Sequence, residues 1–407
     1  MKPTVLIATT SSWLPTARLA MALAQAGFIV DAVCPPRHPL RQIGVLRQTY
    51  GYHGLTPLAS FVHAIAGAEP DLIVPGDDLA TLHLHHVHRR KGDDGGMKAL
   101  IERSLGRPDG FPVVYARTEF MKLAQTEGIR APKTEVIADA LALKKWVSRM
   151  GFPTVLKANG TSGGDGVRVV HTLEEAERAF RALQAPPLLA RAVKRALGNQ
   201  DKTLLWPSLL RRRPVVNAQE FVAGREATSA VACWKGTVLA SLHFEVLNKR
   251  DSGGPSSVVR LIENAEMASA AEGMARRLNL SGLHGFDFML EADTGNAHLI
   301  EINPRATQVG HLALGAGRDL PAALYGSVSG EAVRLAPKVT ANDIIALFPQ
   351  EWMRDPESAY LRSAYHDVPW GEAELLRACL CKGRTQRALD SPQTLVRTLS
   401  AVRLPRA

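Results

Sequence analysis

The 407-residue chain has no run of 18 consecutive apolar residues, which argues against a membrane-spanning helix. Its opening, MKPTVLIATTSS, has too short an apolar stretch for a secretory leader and no cleavage pattern. There are only four cysteines, Cys34, Cys233, Cys379 and Cys381, too few for a disulfide framework in a chain of this length. The C-x-C pair has no second pair or nearby histidine, so a zinc site is not expected. A reducing, cytoplasmic setting is the expectation. No G-x-G-x-x-G follows the first strand-like run, which leaves a dinucleotide site there unsupported. No Gly-Lys-Ser/Thr closes the glycine-rich stretch, which excludes a Walker A loop. Internal repeats are absent, and so is a Ser/His/Asp set for nucleophilic catalysis.

What is present is an ordinary globular composition, 46% apolar and 22% charged, in a chain long enough for two or three domains. The formal net charge of +10 favours anionic partners. Basic clusters at Arg89-Arg90-Lys91 and Arg211-Arg212-Arg213 lack interleaved aromatics, so they read as solvated surface and no nucleic-acid partner is expected. Four histidines in LHLHHVH (82–88) have no carboxylate or cysteine spacing for a metal and read as partly exposed helical residues.

TVLIATT, FIVDAVC (28–34) and DLIVPGDD (71–78) are short apolar strands separated by helical stretches, the first of them 17–26, closed by Gly27. Strands alternating with helices predict a parallel, doubly wound sheet, so about the first 113 residues read as Rossmann-like. A helix is expected over 116–128. FPTVLKANG, TSGGDG and VRVV then form a strand–loop–strand unit, and Thr172 with Glu175 has capping-box spacing. The proline-punctuated, basic segment 186–214 reads as an insertion. Strands are expected at 215–221, 228–233, 285–290 and 297–302, and a helix at 265–278. Beyond 336 the pattern reads as helical, with Trp352, Tyr360, Tyr365 and Trp370 as packing anchors.

Three features carry chemistry. KANGTSGGDG places four glycines, Gly160, Gly163, Gly164 and Gly166, after Lys157, which ends an apolar strand. Glycines let backbone amides approach phosphate oxygens, and the lysine ammonium can neutralise phosphate charge. Asp287 and Glu301 lie on adjacent strands joined by the turn Glu291–Asn296, so antiparallel pairing lets the carboxylates converge; Asn303 shares the face of Glu301. Three oxygen donors on one patch suit magnesium, and Arg305 would face the same centre and hold a transferring phosphate.

In order along the chain, Lys157 with its glycine loop, QEFVAGRE (219–226), GFDFML (285–290) and EINPR (301–305) resemble the ATP-grasp superfamily. The nearest likeness is to the branch of the carbamoyl-phosphate-synthase large subunit and biotin carboxylase. The resemblance spans roughly 1–330. It implies a mixed α/β and α+β multidomain fold: a Rossmann-like pre-ATP-grasp domain at 1–113, a first ATP-grasp lobe with a glycine-rich lid at 114–222, a second lobe with the metal site at 223–335, and a small, mainly helical region at 336–407. It implies that Lys157 contacts the α and β phosphates under a lid containing Gly160, Gly163, Gly164 and Gly166. Arg117, eleven residues before Gly128, stands where the family has a second phosphate-binding cation, with Lys122 as its rival. Glu220, Phe221 and Val222 would form the hinge that reads adenine, and Glu226 would bind the ribose. Asp287, Glu301 and Asn303 would hold two ions of Mg2+ or Mn2+, and Arg305 would lie beside the γ-phosphate and the acceptor.

The implied activity is ATP-dependent joining of a small-molecule carboxylate to an amine, or less often a thiol, through an acylphosphate. Its alternative is a nucleotide-binding regulatory or scaffold protein without turnover. A homodimer stays open. His311, Lys249 and Arg250 are further candidates for substrate contact.

Overall fold

The computed structural model describes residues 2–90, 95–159, 166–185, 213–251, 253–334 and 336–379. Gly160, Gly163, Gly164, Arg211, Arg212, Cys381 and nearly all of the 186–214 segment lie outside the described residues. The chain resolves into two compact units, 1–245 with 261–341, and 246–260 with the residues from 342 onward.

The first unit begins with a parallel sheet of β1 (Thr4–Ala8), β2 (Ile29–Cys34), β3 (Leu46–Gly51) and β4 (Leu72–Pro75), in the order β3-β2-β1-β4. β1, inside the sheet, and β4, an edge strand covered by α4, are apolar and wholly buried. The connecting helices are α1 (Leu14–Ala26), α2 (Pro57–Ala68), α3 (Asp78–Arg89) and α4 (Gly95–Leu105). Leu6, Val33, Phe61, Ile73, Leu84 and Ile101 join in one core. Gly27 stops α1 at φ +120°, where a Cβ would sit 2.9 Å from the Tyr325 ring. β3, LRQTYG, escapes a reading based on apolar runs because its side chains are only half covered.

Next comes α5 (Arg117–Thr126), then an antiparallel sheet in the order β5-β8-β6-β7: β5 (Thr134–Ile137), β6 (Thr154–Ala158), β7 (Val167–Val170) and β8 (Val216–Glu220). Two helices, α6 (Ala140–Met150) and α7 (Leu173–Gln184), cover it through Leu143, Trp146, Leu156, Phe180 and Val216. Thr172 caps α7 by accepting the Glu175 N–H at 3.2 Å, while Glu175 accepts the His171 N–H at 2.8 Å. Residues 221–223 then lead into a second antiparallel sheet.

That sheet contains β9 (Gly224–Trp234), β10 (Thr237–Lys249), β12 (Gly282–Glu291) and β13 (Ala297–Asn303). α8 (Ala265–Leu278) packs on it, and α9 (Leu320–Ser329) follows. Its core includes Val231, Met267, Met274, Phe286, Phe288, Leu299 and Ile302. Phe120, Met121 and Ala124 of α5 join this core, although α5 precedes the other sheet in the chain.

The second unit contains β11 (Ser256–Leu261), β14 (Ile344–Leu347), α10 (Gln350–Arg354), α11 (Tyr360–Ser363) and β15 (Tyr365–Asp367). Over the described residues the expected helices of 336–407 are joined by two strands. IIAL (344–347) pairs antiparallel with β11, and β15 pairs parallel with β14. A four-residue apolar run has no period that separates strand from helix, and only its distant partner decides. Trp352 is buried as an anchor, whereas Trp370 is 58% exposed and is not one.

Candidate active site

The β12–β13 hairpin sets the centre of the site. Asp287 lies directly across from Glu301, and Gly285 across from Asn303. Between Asp287 and Phe288 the register slips, so that Phe288 pairs with Leu299 and Ile300 is the extra residue. This bulge explains a pattern that strict alternation forbids. Leu299 and Ile302, three residues apart, are both buried in the core, while Glu301 and Asn303 turn to the other face. Gly285 is required here, because a Cβ would lie 2.3 Å from Thr307 Cγ2 and push the segment after β13 away.

The side chains named from the sequence come together. Asn303 Nδ2 donates to Asp287 Oδ2 at 2.9 Å, and Thr228 Oγ1 donates to Asp287 Oδ1 at 2.9 Å. Arg117, at the first turn of α5, lies 2.8 Å from Glu301 Oε2. Arg305 Nη2 donates to Asn303 Oδ1 at 3.2 Å. Lys157 is 6% exposed on β6. Burial pushes its ammonium down to about 8, against the opposing pull of Glu301, Asp287 and Glu226, so these groups share one field. Withdrawal from water, with Glu301 beside it, holds Asp287 above the usual carboxylate range. Burial also pushes Glu301 upward, but Arg117, Lys157 and Arg305 outweigh it and leave Glu301 below its ordinary value.

Lys122 is not part of this cluster; its ammonium pairs with Glu119 on the exposed face of α5 at 3.2 Å. Glu220 ends β8, and its carboxylate accepts the Lys133 N–H at 3.2 Å while its own N–H donates to the Lys133 carbonyl at 2.9 Å. Phe221 and Val222 follow on the connector between the two antiparallel sheets, Phe221 36% exposed. Glu226 is exposed on β9, paired with Met289. Gly166, the one loop glycine within the described residues, accepts the Ala158 N–H at 2.8 Å and so closes the base of the loop.

A model of the carbamoyl-phosphate synthase L chain ATP-binding domain matches residues 116–316. These residues contain the whole cluster, from Arg117 to Arg305. Residues 116–316 belong to the ATP-grasp superfamily. Its match to the phosphoribosylamine–glycine ligase of Ralstonia nicotianae is 32% identical over 109 residues, 27% of this chain and 21% of that one. The N-terminal section of the carbamoyl phosphate synthase large chain of Aquifex aeolicus is 24% identical over 203 residues, 48% of this chain and 33% of that one. The chain thus spans a third or less of these curated relatives. Among solved structures, the biotin carboxylase domain of Hydrogenobacter thermophilus 2-oxoglutarate carboxylase, in complex with MgADP, ADP and bicarbonate, superposes with a TM-score of 0.58 at 15% identity. That match covers 83% of this chain and 72% of the other, and it establishes a shared fold.

For a divalent cation, the donor set of this ATP-grasp site fits on chemical grounds. Asp287, Glu301 and Asn303 present hard oxygen donors, and two adjoining carboxylates withdrawn from water gain from a cation between them. No group of three or more His, Cys, Asp or Glu side chains among the described residues is arranged for a metal, so the site offers two carboxylates and an amide. Of the α3 histidines, His83 and His88 are half-buried and His86 is exposed, as expected, and only His85 departs. His85 is 2% exposed and stacks on Phe111 at 3.8 Å, and burial pushes it down to about 3. Cys34 and Cys233 are buried, and burial pushes their thiols up to about 11 and about 12. Lys249 and Arg250 fall in the second unit, and His311 is half-buried in the turn after β13.

Three participants were missed by sequence reasoning. Thr228 holds Asp287. Asn217, 1% exposed, accepts from Thr118 at 2.9 Å and donates to Asn159 Oδ1 at 2.8 Å, tying α5 to the base of the glycine loop. Asp78 lies 3.2 Å from Arg305 Nε. Only Asp78 left a trace, in the paired carboxylates that end DLIVPGDD.

Proposed function

We propose that this chain is an ATP-dependent carboxylate–amine ligase that works through an acylphosphate and releases ADP and phosphate. The observation that supports it is the gathering of Asp287, Glu301 and Asn303 with Lys157, Arg117 and Arg305 in one cluster of contacts and charge interactions. Its parts follow the domain plan set out above: a Rossmann-like region at 1–113, lobes at 114–222 and 223–335, and a terminal region at 336–407.

In this reading the nucleotide sits between the two antiparallel sheets. Glu220, Phe221 and Val222 take the adenine, and Glu226 the ribose. Lys157, Arg117 and the 160–166 loop take the phosphates. Asp287, Glu301 and Asn303 would hold two ions of magnesium or manganese, which would supply charge neutralisation to the polyphosphate. Arg305 orients the acceptor carboxylate against the γ-phosphate. An oxygen of that carboxylate attacks the γ-phosphorus, the bond to the bridging oxygen of ADP breaks, and an amine then displaces phosphate from the acyl carbon. Positioning and charge neutralisation carry the catalysis, so no nucleophilic side chain is needed. Exclusion of water protects the acylphosphate. A cytoplasmic location and homodimeric assembly belong to the same reading.

ADP release measured over a panel of acids and amines tests it. The expected result is turnover stimulated by one acid–amine pair, with a hydroxamate formed when hydroxylamine replaces the amine. Nucleotide binding without stimulation by any pair would favour the scaffold reading. Phosphate transfer without hydroxamate would point to a non-carboxylate acceptor.

A further inference from the structure

The corner Pro75-Gly76-Asp77-Asp78, between β4 and α3, carries two adjacent carboxylates with separate partners. Asp77 ties down the turn after β1. It accepts from Thr9 Oγ1 at 2.7 Å, the Thr10 N–H at 2.6 Å and Thr10 Oγ1 at 2.8 Å, and it caps α3 through the Ala80 N–H at 2.9 Å. Asp78 reaches the other way, to Arg305 Nε. The same corner is stitched to the segment after β13 by two further bonds. The Ala306 N–H donates to the Pro75 carbonyl at 3.0 Å, and Thr81 Oγ1 donates to the Pro304 carbonyl at 2.7 Å.

Arg305 is therefore fixed at each of its three nitrogens: Nε by Asp78, Nη1 by the Ala306 carbonyl at 3.2 Å, and Nη2 by Asn303 Oδ1. The half-buried Trp13 ring covers it, 5.5 Å from Cζ to the ring centroid. A free arginine side chain has several rotatable bonds and pays for each that a ligand freezes, whereas this one is already frozen. A guanidinium has five N–H donors, so two remain for a bound oxyanion.

We propose that Asp78 is a positioning residue for Arg305: from the Rossmann-like layer it presets the guanidinium, with Trp13 as backing, for the terminal phosphate and the acceptor. This rests on the ligase reading, because it takes Arg305 to face the γ-phosphate. It adds that a carboxylate 227 positions earlier in the chain controls that contact. Asp78 acts through Arg305 and needs no contact with nucleotide.

The test compares two probes on the full chain, Mg-ADP and the magnesium complex of the β,γ-imido analogue of ATP. The ratio of their affinities reads the contact with the terminal phosphate. Asp78→Asn lowers affinity for the imido analogue about tenfold, as Arg305→Met does, and leaves Mg-ADP within about twofold. Asp78→Glu restores most of the loss. If Asp78→Asn folds poorly, Asp78→Ser is read the same way. Equal loss for both probes, or no loss while Arg305→Met retains its effect, overturns the positioning role alone. No effect from Arg305→Met overturns the role and the placement of Arg305 at the γ-phosphate together.

Discussion

Glu351 in the second unit and the Asp287–Glu301 pair in the first show two ways to withdraw a carboxylate from water. Glu351 is fully buried and served on every side. Ser257 Oγ donates to it at 2.7 Å and Arg354 Nε at 2.8 Å, with Arg354 Nη2 and Ser358 Oγ both at 2.5 Å. Burial raises its affinity for a proton, but these donors outweigh it and hold the carboxyl down to about 2. Asp287 and Glu301 instead face one another across two strands, and Asp287 is held above its ordinary value. A structural carboxylate is surrounded by donors until nothing is missing. In the hairpin pair only Glu301 has a cation in contact, Arg117 at 2.8 Å, while Asp287 has two neutral donors and a neighbouring carboxylate.

The largest expected effect breaks the second arrangement. Asp287→Asn or Glu301→Gln lowers ADP-forming turnover on the order of 10³-fold, about 4 kcal/mol of transition-state stabilisation. The melting temperature of Asp287→Asn holds or rises, because a carboxyl held above its usual range disfavours the folded state, whereas Glu301→Gln also loses stability because it strands the Arg117 guanidinium. Chelation of divalent metal gives the same loss in the unaltered protein. Steady-state rates and thermal melts on the same samples check the pair of outcomes; a fall in the melting temperature of Asp287→Asn matching its fall in rate would mean that this carboxylate is structural.

Glu351→Ala should behave in reverse. It strands the Arg354 guanidinium and two hydroxyls, at a cost of roughly 3–5 kcal/mol to the second unit. Because the folded-state carboxyl lies below its unfolded value, the contribution of Glu351 is present above about pH 4.5 and fades as pH falls toward 2. Acid unfolding followed between pH 6 and 2 therefore loses part of its pH dependence in the variant. Mg-ADP affinity at neutral pH stays unchanged.

Lys157 sharpens the contrast from the cationic side. Burial holds its ammonium at about 8, below the ordinary lysine value, so the folded state disfavours its charge. That cost is fully present below pH 8 and is relieved as pH rises from there toward 10.5. Lys157→Met removes the cost and the charge together. Nucleotide affinity falls about 100-fold, or about 2.7 kcal/mol, while stability at pH 7 does not fall. In the unaltered protein, affinity for Mg-ADP weakens as pH rises through 8, and titration calorimetry at pH 7 and pH 9 reads the difference.

The sequence could show this contrast only where the partners are close along the chain. Asp287 and Glu301 share one hairpin, so strand pairing alone brings them together, and the polar ending of LIEINPR marks where the core stops. The bulge at Ile300 was not legible, since nothing in the residue types says where a register slips. Arg305 was legible as a cation beside Glu301 and Asn303, but its link to Asp78 was not: it depends on how the parallel sheet meets the segment after β13. Glu351 shows the same limit, because its serines come from 257 and 358 and only the pairing of β11 with β14 gathers them. The two strands after 336 were missed for that reason also.

The smallest effect tests how finely the open pair is tuned. Thr228 Oγ1 is one of two side-chain donors that hold Asp287, the other being Asn303 Nδ2. Thr228→Val keeps the shape of the side chain and removes the donor. Asp287 then accepts a proton more readily, and the carboxylate loses the bond that fixes its orientation. Divalent-metal affinity is expected to fall about tenfold at neutral pH, the scale on which ligand-orienting partners act. The loss widens as pH drops, because protons compete better for the less stabilised carboxylate. Metal titration at pH 6 and pH 8 reads both parts. A uniform loss at the two values would mean that Thr228 only orients Asp287, whereas a steeper loss at pH 6 would show that the hydroxyl also helps to keep it ionised.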